Sequence, residues 1–234
     1  MKRFILATWL LAATSVPSFA NIAMPRETWT DISMVSEHVK IVLGREKITV
    51  EASFELKNTG EAVTAVVGYP RGMLEKSLDG FSVTVDDEAV EVKSQSAGRD
   101  VAPVPLADED APARKRYQFE GDYPEWKLFH VRFDAGQTRQ VVVRYHVTPG
   151  EVKTADGETL LAYIYTLRTG ATWKGNIEKS VIEVTLEDIS PADLATVTPE
   201  KHETKGATLT WTFKDFKPTQ DIELTFREAE GTDD

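Results

Sequence analysis

In "ITVEASFELKN", Ile48 to Asn58, apolar and polar residues alternate without a break. Ile48, Val50, Ala52, Phe54 and Leu56 share one face of an extended chain, and Thr49, Glu51, Ser53, Glu55 and Lys57 share the other. A period of two marks a half-buried strand, because successive side chains of an extended backbone point to opposite sides. The same grammar returns along most of the chain. Phe81 to Val92, Trp126 to Val147, Ile182 to Leu186, Ala207 to Phe213 and Ile222 to Phe226 all carry it, and Lys40 to Gly44 ends an early strand. No stretch after residue 20 sustains a helical period. The expected class is all-β, an antiparallel β-sandwich, with the aromatic pair Trp211 and Phe213 in its core.

Two turns invite a hairpin reading. Asn58-Thr59-Gly60-Glu61 separates the first strand from "VTAVVGYP". Pairing Asn58 with Glu61 sets Leu56 opposite Val63, Phe54 opposite Ala65 and Val50 opposite Tyr69, all on one face. Ala135-Gly136-Gln137 likewise separates "WKLFHVRF" from "RQVVVRYHV". A three-residue loop with Gly136 in the left-handed region pairs Phe133 with Arg139 and keeps the apolar faces together. In that register His130 and His146 share a face but stand about 13 Å apart, too far to chelate one ion. No metal site is expected from the four histidines.

The start of the chain bears on its compartment. Met1-Lys2-Arg3 is basic, Phe4 to Val16 is largely apolar, and Ser18-Phe19-Ala20 places small residues where a signal peptidase reads. The apolar run is shorter than the about 20 residues a membrane helix needs. Residues 1–20 therefore read as a cleaved signal peptide, with the processed chain beginning at Asn21. The expected location is periplasmic or secreted, with no membrane span after cleavage. Loss of Lys2 and Arg3 moves the formal net charge from −11 to −13. So acidic a chain is a poor ligand for nucleic acid, which selects cationic surface.

The chain has no cysteine, so disulfides, thiolate metal sites and Cys nucleophiles are excluded. G-x-S-x-G, H-E-x-x-H and phosphate-loop motifs are absent as well. Carboxylates are plentiful, but Glu183 and Glu187 sit on the solvent side of a strand pattern. The expectation is a protein that is not an enzyme and carries no cofactor. A hydrolase using surface carboxylates is the weakest alternative.

Two stretches depart from the strand grammar. Ser94 to Lys115 is rich in Ala, Pro and charge and reads as a mobile loop. Its Asp108-Glu109-Asp110 triplet lacks the spacing of a calcium loop, so cation binding there stays open. "HVTPGEVKTADGETL" carries two glycine turns and marks an expected domain boundary. The resulting division is an N-terminal sandwich domain over 21–149 and a C-terminal one over 150–234, both immunoglobulin-like. "TLLAYIYTL" follows, apolar on both faces, as for a central strand or one between two domains.

That strand runs into "YTLRTGATWKGNI", Tyr165 to Ile177. Gly170 and Gly175 mark two bends, Gly170→Val is expected to be costly if Gly170 takes positive φ, and Trp173 falls on a corner. A corner tryptophan caps the end of a core with its indole N–H on a carbonyl. The competing reading makes Trp173 and Arg168 a recognition surface, with Tyr165 and Trp126 as further ligand-binding candidates.

Several segments together resemble an uncharacterised family of exported bacterial proteins, known as a domain of unknown function, number four-four-two-four. They are the export signal, "VSEHVKIVLG", "FELKNTG", "VVGYP", "FDAGQTRQVVVRYHV", "YTLRTGATWKGNI" and "WTFKDFKPTQDIELTF". The resemblance implies an extracytoplasmic β-sandwich and brings no catalytic residues. The function expected is a binding or envelope-structural role, with an envelope protein or a polysaccharide as partner. An alternative is a carbohydrate-binding module whose exposed aromatics stack on sugar rings. Nothing in the residues points to an oligomeric state.

Overall fold

The computed structural model describes residues 21–25, 31–72, 74, 76–96 and 123–228. The expected signal peptide and most of the expected loop, residues 97–115, lie outside these residues. Fifteen strands run through the described residues, which contain no α-helix. They are β1 Ile32–Leu43, β2 Ile48–Asn58, β3 Val63–Arg71, β4 Asp79–Val85 and β5 Glu88–Ala89. There follow β6 Lys93–Ser96, β7 Glu125–Phe133, β8 Thr138–Val147, β9 Gly150–Lys153 and β10 Thr159–Tyr165. The last five are β11 Ile177–Leu186, β12 Leu194–Thr198, β13 Glu203–Lys205, β14 Thr208–Phe216 and β15 Ile222–Phe226.

These strands form three open sheets. The largest has the order β13-β14-β11-β1-β2-β8-β4-β5, the second β12-β15-β10-β9 and the third β3-β7-β6. One contiguous apolar core takes side chains from all three, among them Val39, Phe54, Val143, Ile182 and Trp211 from the first. Tyr163, Leu224 and Phe226 come from the second, and Val67, Tyr69 and Phe129 from the third. Trp211 is buried, with its indole N–H on the Pro199 carbonyl. Phe213 is only partly buried against the core.

Neither expected hairpin forms. β2 pairs with β1 and β8, whereas β3 pairs with β7 in a different sheet. The turns at 58–62 and 134–137 each carry the chain from one sheet to another. Alternation dictates which side chains are buried but not which strand lies alongside. A chain that arches between sheets buries the same residues as a hairpin. The two arches lie together: Asn58 N–H donates to the Gln137 carbonyl, and its side-chain amide donates to the carbonyls of Glu61 and Asp134. Gly136 does adopt the left-handed conformation, with φ 72°. His130 and His146 fall in different sheets, on β7 and β8.

Two further expectations change. The first residues of the supposed loop, Ser94 to Ser96, belong to β6 and pair with β7. The boundary at 149/150 does not divide the large sheet, since β11, β13 and β14 join it beside β1. β1 and β11 run parallel from Ser36↔Lys179 to Leu43↔Leu186, and this ladder binds the two halves of the sequence. β10 is buried from Leu160 to Tyr165 and lies inside its sheet, between β15 and β9.

Candidate functional site

The candidate site starts from a phase change in β1. Ile32 and Met34 are buried at even positions, but Val39, Ile41 and Leu43 are buried at odd ones. A β-bulge between Met34 and Ser36 makes the switch by adding one residue against β2. Its consequence is Glu37, which the odd phase turns inward. Glu37 is 2% exposed, flanked in the sheet by Phe54 of β2 and Ser180 of β11.

The carboxylate has two hydrogen-bond donors. Asn21 Nδ2 donates at 2.8 Å and Ser180 Oγ also donates. Burial pushes its pKa up to about 7, against the opposing pull of Ser180 and Asn21. No Lys, Arg or His among the described residues pairs with it. Two neighbouring polar atoms, Asn21 Oδ1 and the Tyr165 hydroxyl, are buried with no hydrogen-bond partner on the protein. Burial, together with Tyr69, Glu37 and Tyr163, holds the Tyr165 hydroxyl well above its ordinary pKa.

Asn21 belongs to a strap, residues 21–25, that is buried throughout. On one side Ala23 exchanges two 2.8 Å backbone hydrogen bonds with Gly68 of β3. On the other, the Tyr165–Ile177 stretch clasps it. Thr169 Oγ1 donates to the Asn21 carbonyl at 2.9 Å, and Met24 N–H donates to Thr172 Oγ1. Trp173 Nε1 donates to the Ile22 carbonyl at 3.0 Å. Residues 168–172 form a 3₁₀ turn, and Gly170 within it does not take positive φ. The glycine is required for a different reason. A Cβ there would lie 2.9 Å from Asn21 Nδ2 and 3.2 Å from Ile177 Cδ1.

The four candidate ligand residues therefore take other places. Trp173 is 2% exposed and caps the core as a corner tryptophan does. Tyr165 is fully buried, and Trp126 is 4% exposed, packed edge-on against Tyr123 at 5.1 Å. These three rings offer no open stacking platform, which removes the basis of the sugar-binding alternative. Arg168 is half exposed, but its Nε and Nη2 lie 2.7 and 2.6 Å from Asp221 Oδ2. Of the four, Trp173 bonds the strap, while Arg168 is held by Asp221 and Tyr165 lies buried on β10. Trp126 sits apart from them, in a small satellite core with Ala23, Val66 and Leu128. The alternation argument missed Glu37, although the change of phase between Met34 and Val39 is visible in the sequence.

The outer face of the same sheet carries a groove. It has a volume of about 420 Å³ and crosses β1, β2 and β8, with Ser36, His38, Ser53, Glu55, Arg139 and Gln140 in its lining. Ser36 Oγ donates to Glu55 Oε2 at 3.3 Å, and His38 Nε2 lies 2.6 Å from Glu183 Oε2. Arg139 is braced by Asp86 at 2.7 Å, and the arginine with the Gln140 backbone keeps the Asp86 carboxyl below the usual range. Among the described residues, no group of three or more His, Asp or Glu is placed to hold a metal. None contains a helix long and apolar enough to cross a membrane.

No family model matches the chain, and no curated protein matches it. Among solved structures, the chain is similar to a "putative nutrient binding protein" from Legionella pneumophila subsp. pneumophila. They share 18% identity at a TM-score of 0.59, over 90% of this chain and 72% of that one. This is a likeness of fold. An M1 zinc metallopeptidase from Deinococcus radiodurans aligns at TM-score 0.40 and 10% identity, over 84% of this chain and 42% of its own. Yeast LTA4 hydrolase aligns at 0.45 and 10%, over 84% and 29%. Both scores are too low to carry an argument.

Proposed function

We propose that this chain is an exported, non-catalytic β-sandwich protein, released by cleavage after Ala20, that works by binding a small polar solute. The groove on the outer face of the large sheet carries this reading. Its volume is that of a small-molecule site, and hydroxyl, imidazole, carboxylate, guanidinium and amide groups converge in it. The surface favours a polar ligand, since Val42 is the one exposed large apolar side chain among the described residues. The fold likeness to a protein described as nutrient binding agrees with a binding role. The signal-like start and the resemblance to an exported family support the compartment. The groove lies on adjacent β-strands, so its side chains are held by the sheet rather than by a loop.

The Glu37 group is the most perturbed carboxylate described, and such groups mark catalytic sites in many enzymes. Here it is sealed beneath the strap, where a substrate has no path to it, so its role is structural.

Two measurements test the reading. Cell fractionation should place the chain outside the cytoplasm. Thermal-shift and NMR titrations against amino acids, short peptides, monosaccharides and nucleosides should then give shifts centred on β1, β2 and β8. His38→Ala and Glu55→Ala should weaken that response. A response indifferent to both substitutions, or none across the panel, refutes the groove as the binding site.

A further inference from the structure

The interior around Asn21 holds a carboxylate with two neutral donors and no cation. Glu37 is buried with no cation, Asn21 Oδ1 is unpartnered, and the Tyr165 hydroxyl is buried between them and Tyr69. Such a group is costly unless something supplies positive charge and N–H donors. The residue at the centre is also the first residue expected after signal cleavage. Asn21 Nδ2 is 2.8 Å from Glu37 Oε2, so bond lengths alone place the Asn21 main-chain nitrogen within about 8 Å of that carboxylate. Gly170 has no Cβ where one would strike the Asn21 side chain. Thr169, Trp173 and Gly68 grip the backbone of residues 21–23 from both sides.

We propose that this pocket is a receptor for the chain's own processed N-terminus. Cleavage of the Ala20–Asn21 peptide bond by water leaves a carboxylate on the leader and an α-ammonium on Asn21. The ammonium brings three N–H donors and a positive charge to Glu37, with Asn21 Oδ1 and the Tyr165 hydroxyl as further acceptors. The groups facing Glu37 are Asn21 of the strap, Ser180 of β11 and Tyr165 of β10. Apart from Glu37 itself, Tyr165 is the titratable one among them, and it is neutral at physiological pH. The new amine is thus the cation the pocket lacks. Leader removal locks the strap into the core, so the exported chain is more stable than any form still extended at residue 20.

This inference rests on the exported reading of the chain, and its test separates the two. The chain is recovered from the cell envelope and its N-terminus is read by mass spectrometry. A chain absent from the envelope refutes the export reading. An exported chain that starts anywhere but Asn21 overturns only the present inference. The chain beginning at Asn21 is then compared with one beginning at Ala20, both complete to Asp234. The expected result is a Tm higher by about 5–10 °C for the Asn21 form at pH 7. Its stability should hold between pH 5 and 8, while the Ala20 form weakens across that range. Glu37→Gln should abolish the difference between them, and Ser180→Ala, which leaves the carboxylate, should preserve it. Equal melting and equal pH profiles for the two forms would overturn the proposal.

Discussion

The tyrosines around Tyr145 and the carboxylate around Glu37 are polar groups buried in one core, yet they meet its dryness in different ways. Tyr69 of β3 donates to the Tyr145 hydroxyl of β8 at 2.8 Å, and Tyr163 of β10 lies 3.3 Å from the same oxygen. One residue from each sheet meets at that point. The rings add edge-on packing, with Tyr69 and Tyr145 centroids 5.3 Å apart and Phe81 against both. This group is neutral and internally satisfied. The Glu37 group joins the large sheet to the strap, ionises near neutral pH and contains atoms without partners. The first fastens the sheets at any ordinary pH. The second makes the fit of the strap depend on charge.

The largest way to break that contrast is to release the strap. Trp173→Ala removes a buried indole and leaves the Ile22 carbonyl without its donor. The expected loss is about 3–5 kcal/mol, measured by denaturant unfolding. The effect should be selective as well. With the strap loosened Glu37 becomes hydrated, so in a form still extended at residue 20 the variant should show a flatter stability–pH profile while β8 around Tyr145 stays protected from amide exchange. A variant as stable as the parent would show that Trp173 does not hold the strap.

Next is the pH dependence of a form in which residue 21 still has a peptide bond at its N-terminal side. The folded-state pKa of Glu37 lies above its unfolded value of about 4.5, so the folded chain binds more protons between about pH 4.5 and 7. Stability contributed by protonated Glu37 is complete below the unfolded value and falls as pH rises through that window. The full span is about 3 kcal/mol. Unfolding at a series of pH values should show the fall, and Glu37→Gln should remove it.

How much of this contrast the sequence discloses depends on the physics each feature uses. The strands were legible because period-two burial is written in consecutive residues, as in Ile48 to Leu56. The bend at Gly175, φ 71°, and the corner tryptophan were legible for the same local reason. Strand partners were not, because an arch at Asn58 and a hairpin there bury the same side chains. The parallel β1–β11 ladder joins residues more than a hundred positions apart, and no local pattern encodes it. Of the candidate site residues, the sequence singled out Trp173 of the clasp and its neighbours Tyr165 and Arg168, but not the strap they adjoin. The strap sits before β1 in "NIAMP", too short to show any period, and its burial follows from long-range contacts, among them those with Gly68 and residues 169–173. Gly170 shows the limit clearly: sequence marks a bend, while the reason for glycine lies in a side chain 149 residues away.

A smaller effect sharpens the neutral half of the comparison. Tyr145→Phe keeps the ring and removes the oxygen shared by Tyr69 and Tyr163. Leaving two buried hydroxyls with one partner fewer should cost about 1–3 kcal/mol. The cost should be constant from pH 5 to 8, since no charge is involved. A pH-dependent loss would mean that the tyrosine and carboxylate groups titrate as one unit.

The smallest predicted effect belongs to Arg168, which supports the clasp by a third means, a charge pair at the protein surface. Asp221 Oδ1 accepts from the backbone N–H groups of Leu167 and Arg168, at 3.0 and 3.1 Å, while Oδ2 takes the guanidinium. A half-exposed arginine on a turn suggests little change in melting for Arg168→Ala. The Asp221 side chain is 1% exposed, however, so removing the guanidinium strips a buried carboxylate oxygen of its partner. Two facts keep the cost low. The backbone donors survive the substitution, and the 51% exposed Arg168 side chain leaves room for water and salt to screen what remains. The expected loss is about 1–2 kcal/mol. It should shrink further as salt rises from low to molar concentration, because screening weakens the native pair that the variant lacks. Glu223, already raised by burial and by Asp221, loses the cation that opposes that rise, so its pKa should climb further in the variant. Denaturant unfolding at two salt concentrations checks the first point, and carboxyl titration by NMR checks the second. A loss as large as that of Trp173→Ala, unchanged by salt, would place Arg168 among the buried determinants of the strap rather than at its screened edge.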